Sequence, residues 1–151
     1  MKKSNILFST VLLIAFNLQA QTFTKVTQGP LVSPNAENKS PAWGDYDNDG
    51  DLDLFVGVGG PSIGNVNGDN LLYQNNCNGQ FTRIVAIPGG LVSDGGGSSS
   101  SSWIDYNNDG NLDLFVGNGA SQINFLYKNN GDGTFTKITN LIITDPGTRG
   151  A

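Results

Sequence analysis

Aspartate recurs at every second position through Asp45, Asp47, Asp49, Asp51 and Asp53, and the run leads straight into an apolar segment, "WGDYDNDGDLDLFVG" over residues 43–57. A second copy, "WIDYNNDGNLDLFVG", occupies residues 103–117. Counted from the first acid, oxygen-bearing side chains fall at positions 1, 3 and 5: Asp45, Asp47 and Asp49 in one copy, Asp105, Asn107 and Asp109 in the other. Glycine follows at position 6 (Gly50, Gly110), Asp51 or Asn111 at 7, and Asp53 or Asp113 at 9. Alternating oxygen donors with a glycine for the sharp turn can wrap a hard cation, and residue 7 can add its carbonyl; this is how a calcium loop begins. An EF-hand would need Glu at position 12 and flanking helices, but position 12 is Val56 or Val116 inside an apparent strand. Asp53 and Asp113 are the natural closing residues in its place. A loop offering five or six protein oxygens suits calcium better than magnesium. The other reading is a solvated Asx-turn joining two strands; two copies in identical context favour the cation.

The remaining composition narrows the chemistry. The chain of 151 residues has no histidine, which makes zinc or copper centres and Ser-His-Asp catalysis poor expectations. No nucleophile–base pair, phosphate-cradling loop or basic patch stands out, so no enzymatic activity is expected. Formal net charge is −5, and eight of the thirteen acidic residues lie in the two acidic stretches. That balance excludes nucleic acid and anionic membrane surfaces as partners. Lys2 and Lys3, the apolar run over residues 6–16 and the small residue Ala20 read as a cleaved signal peptide, residues 1–20, implying a secreted protein, extracellular, at the cell surface or in a periplasm. A retained N-terminal anchor is the alternative; after cleavage no membrane insertion is expected. Cys77 is the single cysteine, so no internal disulfide can form. It reads as an incidental turn thiol or a partner in an intermolecular disulfide.

Positioning these loops requires a repeated scaffold. The two tryptophans, Trp43 and Trp103, lie 60 residues apart, and "NLLYQNNCNGQFTRI" (70–84) matches "NFLYKNNGDGTFTKI" (124–138). A period of this size marks a repeat architecture. With 21 glycines and many short alternating segments, the chain reads as all-β. Each unit divides into four antiparallel strands: one ending at "AWGDY", then "LDLFVG" with Leu52, Leu54 and Val56 on one face, then "NLLYQN", then "FTRIV". Asn78-Gly79 and Asn130-Gly131 read as hairpin turns. The second strand is apolar on both faces, as stacking of small sheets requires. Both tryptophans are expected as strand-core anchors rather than sugar platforms. "GGGSSSSS" (95–102) reads as a permissive connection whose last residues enter the sheet, and the six-residue insertion before Asn70 as a variable contact loop.

With its acidic loop set in W-x-D-Y…LDL and followed by "NLLYQNN-x-NGQFT", the sequence resembles FG-GAP/VCBS-type repeats, the blade units of integrin-α-like propellers, from about residue 22 onward. The resemblance implies β-propeller blades and about two structural calcium ions, one between the first and second strands of each blade. It assigns as side-chain ligands Asp45, Asp47, Asp49 and Asp53 with the Asp51 carbonyl, and Asp105, Asn107, Asp109 and Asp113 with the Asn111 carbonyl. Asn107 removes one charge and predicts a weaker second site. The expected organisation is an orphan outer strand (21–28), repeats over 29–87 and 88–140, and the start of an incomplete third repeat (141–151). Two blades do not close a ring. A fragment lacking C-terminal blades is expected, with self-assembly or an open stack as the alternatives. The expected function is protein or glycan binding or adhesion outside the cell. The alternatives are the propeller portion of a larger polysaccharide-acting enzyme, or a truncated piece without independent activity.

Overall fold

The computed structural model describes residues 22–31, 38–60, 68–119 and 122–139. The expected signal peptide, the core of the insertion at 61–67 and the expected third repeat at 141–151 lie outside the described residues. Eight strands are present among them: β1 (Asn38–Gly44), β2 (Asp53–Val58), β3 (Leu71–Asn75), β4 (Phe81–Ile84), β5 (Ser98–Ile104), β6 (Asp113–Asn118), β7 (Phe125–Asn129) and β8 (Phe135–Ile138). They form two four-stranded sheets, β1-β2-β3-β4 and β5-β6-β7-β8, with every neighbouring pair antiparallel. Connections of five to eight residues leave most neighbours no room for a crossover, and β2 and β3, joined by a longer segment, pair antiparallel as well, so sequence order becomes sheet order. The registers repeat residue for residue: Trp43 opposes Leu54 and Leu54 opposes Tyr73, as Trp103 opposes Leu114 and Leu114 opposes Tyr127. The chain is thus all-β, built from two four-stranded antiparallel units of the blade type.

The alternation along β2 divides its side chains between two cores. Phe55 and Leu72 face the second sheet, where they meet Leu114, Val116, Tyr127 and Phe135, with Leu91 and Val92 of the connecting segment filling the seam. Leu54, Val56 and Val58 point the other way and pack with Leu71 and Tyr73. All six residues of β2 are buried, as an inner strand covered on both faces should be. Each fully buried large apolar side chain contributes about 1.5–3 kcal/mol, an upper figure because the unfolded chain is itself partly collapsed.

Trp103 is the keystone of the seam. Its ring stacks on Tyr46 at 6.0 Å and stands edge-on to Phe55 at 6.3 Å, and its indole N–H donates to the Ala42 carbonyl at 3.2 Å. Gly44 makes the space: a Cβ there would lie 2.7 Å from the Trp103 ring. The equivalent residue of the second unit is Ile104, which is half exposed. Farther along the seam, Ser101 Oγ donates to the Ser40 carbonyl at 2.8 Å and lies 2.9 Å from Ser40 Oγ. At the end of the seam away from the acidic loops, Asp94 accepts from Tyr127 Oη (2.5 Å), Asn70 Nδ2 (3.2 Å) and Gly96 N (3.3 Å). This ties the connecting segment to both sheets.

Four expectations are corrected. Trp43 is not a core anchor: it is 53% exposed and meets Phe81 edge-on at 6.1 Å, because no described sheet covers its face as the first sheet covers Trp103. Leu52 does not share a face with Leu54 and Val56; it precedes β2, where the chain still curves, and is 56% exposed. The hairpin turns have three residues, 77–79 and 131–133, closed by Asn76 N to Gln80 O (2.9 Å) and Asn130 N to Thr134 O (3.0 Å). The second turn is therefore centred on Asp132 rather than on Asn130-Gly131. Residues 22–27, expected as an outer strand, are exposed and form no strand. A fourth strand pairs only with a third strand of its own sheet, and the described residues offer none. The glycine–serine segment does enter the sheet, as β5.

Gly44→Ala is expected to destabilise the protein by about 1–3 kcal/mol through overpacking. Urea unfolding followed by tryptophan fluorescence checks this, with Ile104→Ala as the comparison that leaves the seam intact.

Candidate metal centre

The acidic loops connect β1 to β2 and β5 to β6, and they take the same backbone path. Asn48 and Asn108 are left-handed (φ 60 and 59), and Gly50 and Gly110 follow at φ 96 and 87. Asparagine tolerates that conformation better than most residues, and glycine at no steric cost. The first aspartate holds the turn: Asp45 accepts from the amides of Asp49 and Gly50, both at 3.0 Å, and Asp105 from those of Asp109 (3.0 Å) and Gly110 (2.9 Å). The fifth position holds the next residue, with Asp49 accepting from Asp51 N and Asp109 from Asn111 N, each at 3.0 Å.

Position 9 ties each loop to its sheet. Asp53 accepts from Tyr46 N (3.1 Å) inside the loop and from Asn75 N (2.8 Å) at the end of β3. Asp113 does the same with Tyr106 N (3.2 Å) and Asn129 N (2.7 Å). Neither side chain has exposed surface. Each carboxylate oxygen thus already accepts one amide proton, leaving one lone-pair direction for any further ligand. Burial pushes Asp53 up to about 6 despite those two amides, and Asp47 and Asp49 add to the effect. Burial raises Asp113 and Asp94 as well.

The loops differ in what they offer a cation. In the first, carboxylate oxygens of Asp45, Asp47 and Asp49 lie within 4.8 Å of one another. Asp47 Oδ2 accepts from Gln74 Nε2 at 2.6 Å, whereas Asp47 Oδ1 is buried without a hydrogen-bond partner. A buried oxygen left unpaired is costly, and a cation bound there would satisfy it. The donor set, all hard oxygen, fits calcium. Asp51 turns its carboxylate toward Asp49 and Cys77. The hydrogen bond to Asp51 pushes the exposed Cys77 thiol up to about 11, so it stays protonated and is a poor ligand. In the second loop Asn107 donates to Asp109 Oδ2 at 2.9 Å, and Lys128 Nζ lies 3.4 Å from the same oxygen. The loop retains oxygens at 105, 107 and 109, with an internal cation competing for one of them.

Sequence reasoning missed Gln74 and Lys128, which flank the loops, and Asn75 and Asn129, which anchor them. The signal was available in the aligned "LLYQNN" and "FLYKNN". Antiparallel pairing of Leu54 with Tyr73 and of Leu114 with Tyr127 carries the next two residues alongside the loop-closing aspartate.

The raised carboxylates determine a pH dependence without metal. A carboxyl whose folded value is raised favours the folded state below its unfolded value of 3.8 and loses that contribution as pH climbs through the folded value, about 6 for Asp53. With chelator present, the melting temperature should therefore rise from pH 7.5 to pH 5. A melting temperature that falls over that interval overturns the assignment of Asp53, Asp94 and Asp113 as buried carboxylates. Differential scanning calorimetry in EDTA makes the measurement.

The FG-GAP-like repeat family matches the chain three times, over residues 8–56, 62–116 and 105–151. A search of curated proteins returns no match. The second matched span runs from β3 and β4 through the connecting segment into β5 and β6, joining the last half of one sheet to the first half of the next. That span is thus out of phase with the sheets by two strands, while the third begins before β6 and takes in β6, β7 and β8. Together with two four-stranded sheets in matching register, each carrying the same acidic loop between its first two strands, these matches make the chain a member of the FG-GAP-like repeat family.

Proposed function

We propose that the protein is a secreted, calcium-stabilised β-propeller repeat module that binds an extracellular protein or glycan, and that it works by recognition rather than catalysis. The observation that carries the calcium assignment is Asp47 Oδ1, buried and without a hydrogen-bond partner beside the carboxylates of Asp45 and Asp49. Asp45, Asp47 and Asp49 supply the side-chain oxygens of the first site, with Asp53 reaching it through its remaining lone pairs and Asp51 through its carbonyl. Asp105, Asn107, Asp109 and Asp113, with the Asn111 carbonyl, form the second. Bound calcium supplies positive charge that offsets five crowded carboxylates in one loop and three in the other. The protein's own residues do the rest: Asp45 and Asp105 hold the turns, Asp53 and Asp113 anchor them, and the sheets present the loops along one edge. Rigid loops on a stable scaffold are the usual carriers of recognition.

Extracellular modules bind calcium with dissociation constants on the order of 0.1–1 mM. At ten times that constant each site adds about 1.4 kcal/mol to the folded state. Thermal melting with and without calcium tests the assignment. Wild type should gain several degrees, Asp45→Ala and Asp105→Ala should each lose part of the gain, and the double variant nearly all of it. Calcium-induced stabilisation that survives in the double variant overturns the proposal. Lys128→Gln removes the internal competitor and should tighten the second site about two- to fivefold at low salt, consistent with the small worth of an exposed ion pair.

A further inference from the structure

Two hydrogen-bonded bridges run from the first acidic loop to the second, and both end on residues of the second site. In the first bridge, Asn48 Nδ2 donates to Asn111 Oδ1 at 3.0 Å, and Asn111 Nδ2 donates to Asp109 Oδ1 at 3.0 Å. The Asn111 amide is seated against Gly131, where a Cβ would come within 3.2 Å of it. In the second bridge, the Tyr46 carbonyl accepts from Asn129 Nδ2 at 2.7 Å, while the Asn129 backbone N–H donates to Asp113 Oδ1 at 2.7 Å. Asn129 is 2% exposed and also donates to the Leu112 carbonyl at 3.1 Å. Positions 2 and 4 of loop one therefore hold positions 5, 7 and 9 of loop two. The bridges have a direction: Asp51, which stands where Asn111 stands, turns to Cys77 of its own unit instead.

We propose that the two loops are coupled cation sites, in which filling the first orders Asn48 and the Tyr46 carbonyl, pre-positions Asp109, Asn111 and Asp113, and so tightens the second. The inference rests on the calcium reading above. Its physical basis is shared ordering: the first ion meets the entropic cost of fixing residues that the second also needs fixed. Coupling of this kind is reciprocal, so the second site tightens the first by the same factor. Charge works the other way, because an ion in the first loop weakens the attraction of the second. Salt screens that opposing effect far more than it weakens the hydrogen bonds of the bridges, of which those made by Asn129 are buried and those of Asn48 and Asn111 join uncharged amides or an amide and a carboxylate in direct contact. Net positive coupling should consequently grow with ionic strength.

Each loop carries its own reporter, the amide of Gly50 or Gly110, whose resonance follows calcium occupancy of that loop in heteronuclear NMR titrations. Full-length wild type should show coupling of about fivefold or more, larger at 0.5 M than at 0.1 M salt. Asn48→Gly keeps the left-handed turn and every ligand of loop one but removes a bridge; it should lower second-site affinity about threefold and reduce the coupling. Asn108→Gly makes the same change in loop two, where the side chain has no bridge among the described residues, and should leave the coupling intact. Independent sites in wild type, or equal coupling in both variants, overturn the inference while leaving the calcium assignment standing. Neither glycine amide shifting, with no change in melting temperature, removes the calcium assignment and the coupling together.

Discussion

A carboxylate without exposed surface, sharing its two oxygens between an amide of the acidic loop and one of the third strand, holds this protein's chemistry to its fold. Asp53 and Asp113 each stand at the first position of a second strand, one oxygen turned to the loop and the other to the end of the third strand. Remove either contact and the acidic turn is free to swing away from the sheet. Both are made by backbone N–H groups, which tolerate nearly any side chain around them. The aspartate itself cannot be exchanged so freely: asparagine would place an NH₂ against one of two donors, and glutamate would need a longer path than the strand allows.

The seam between the sheets obeys a second constraint, shape. Phe55 and Leu72 on one side meet Leu114, Val116 and Tyr127 on the other, and an indole is driven into a site that only glycine vacates. Hydrogen bonds at both ends keep the sheets from sliding. Asn129 Nδ2 donates to the Tyr46 carbonyl beside the acidic loops, and at the other end Ser40 pairs with Ser101 while Asp94 gathers Tyr127, Asn70 and Gly96. The acidic loops are held side by side because the sheets beneath them are.

Much of this could be read from the residues, and the part that could not has a common cause. Strand order, the loop between first and second strands, and the doubly covered second strand all follow from patterns within a few residues of one another. Trp43 and Trp103 sit in nearly identical local sequence, yet one is exposed and the other packed against Tyr46, because burial depends on which sheet lies opposite. Residues 22–27 have a strand-like pattern and form no strand, since the edge that would receive them is absent from the described residues. Lys128 and Gln74 occupy the same place and do opposite things to a carboxylate, one contributing charge and the other only a hydrogen bond. Alignment of the repeats revealed which positions correspond; it could not reveal what each one touches across the seam.

Ile104 gives the stack a polarity. At the matching place on the first sheet, Gly44 leaves a recess for the indole of the following unit, whereas the second sheet carries the branched, half-exposed side chain of Ile104 there. An indole seated on the second sheet as Trp103 is seated on the first would meet the Cβ of Ile104 at a distance that a Cβ at Gly44 shows to be too close. Nearly identical neighbours along one chain are at risk of pairing in the wrong order while folding. One added side chain, at the position where its twin has none, makes the units tell themselves apart.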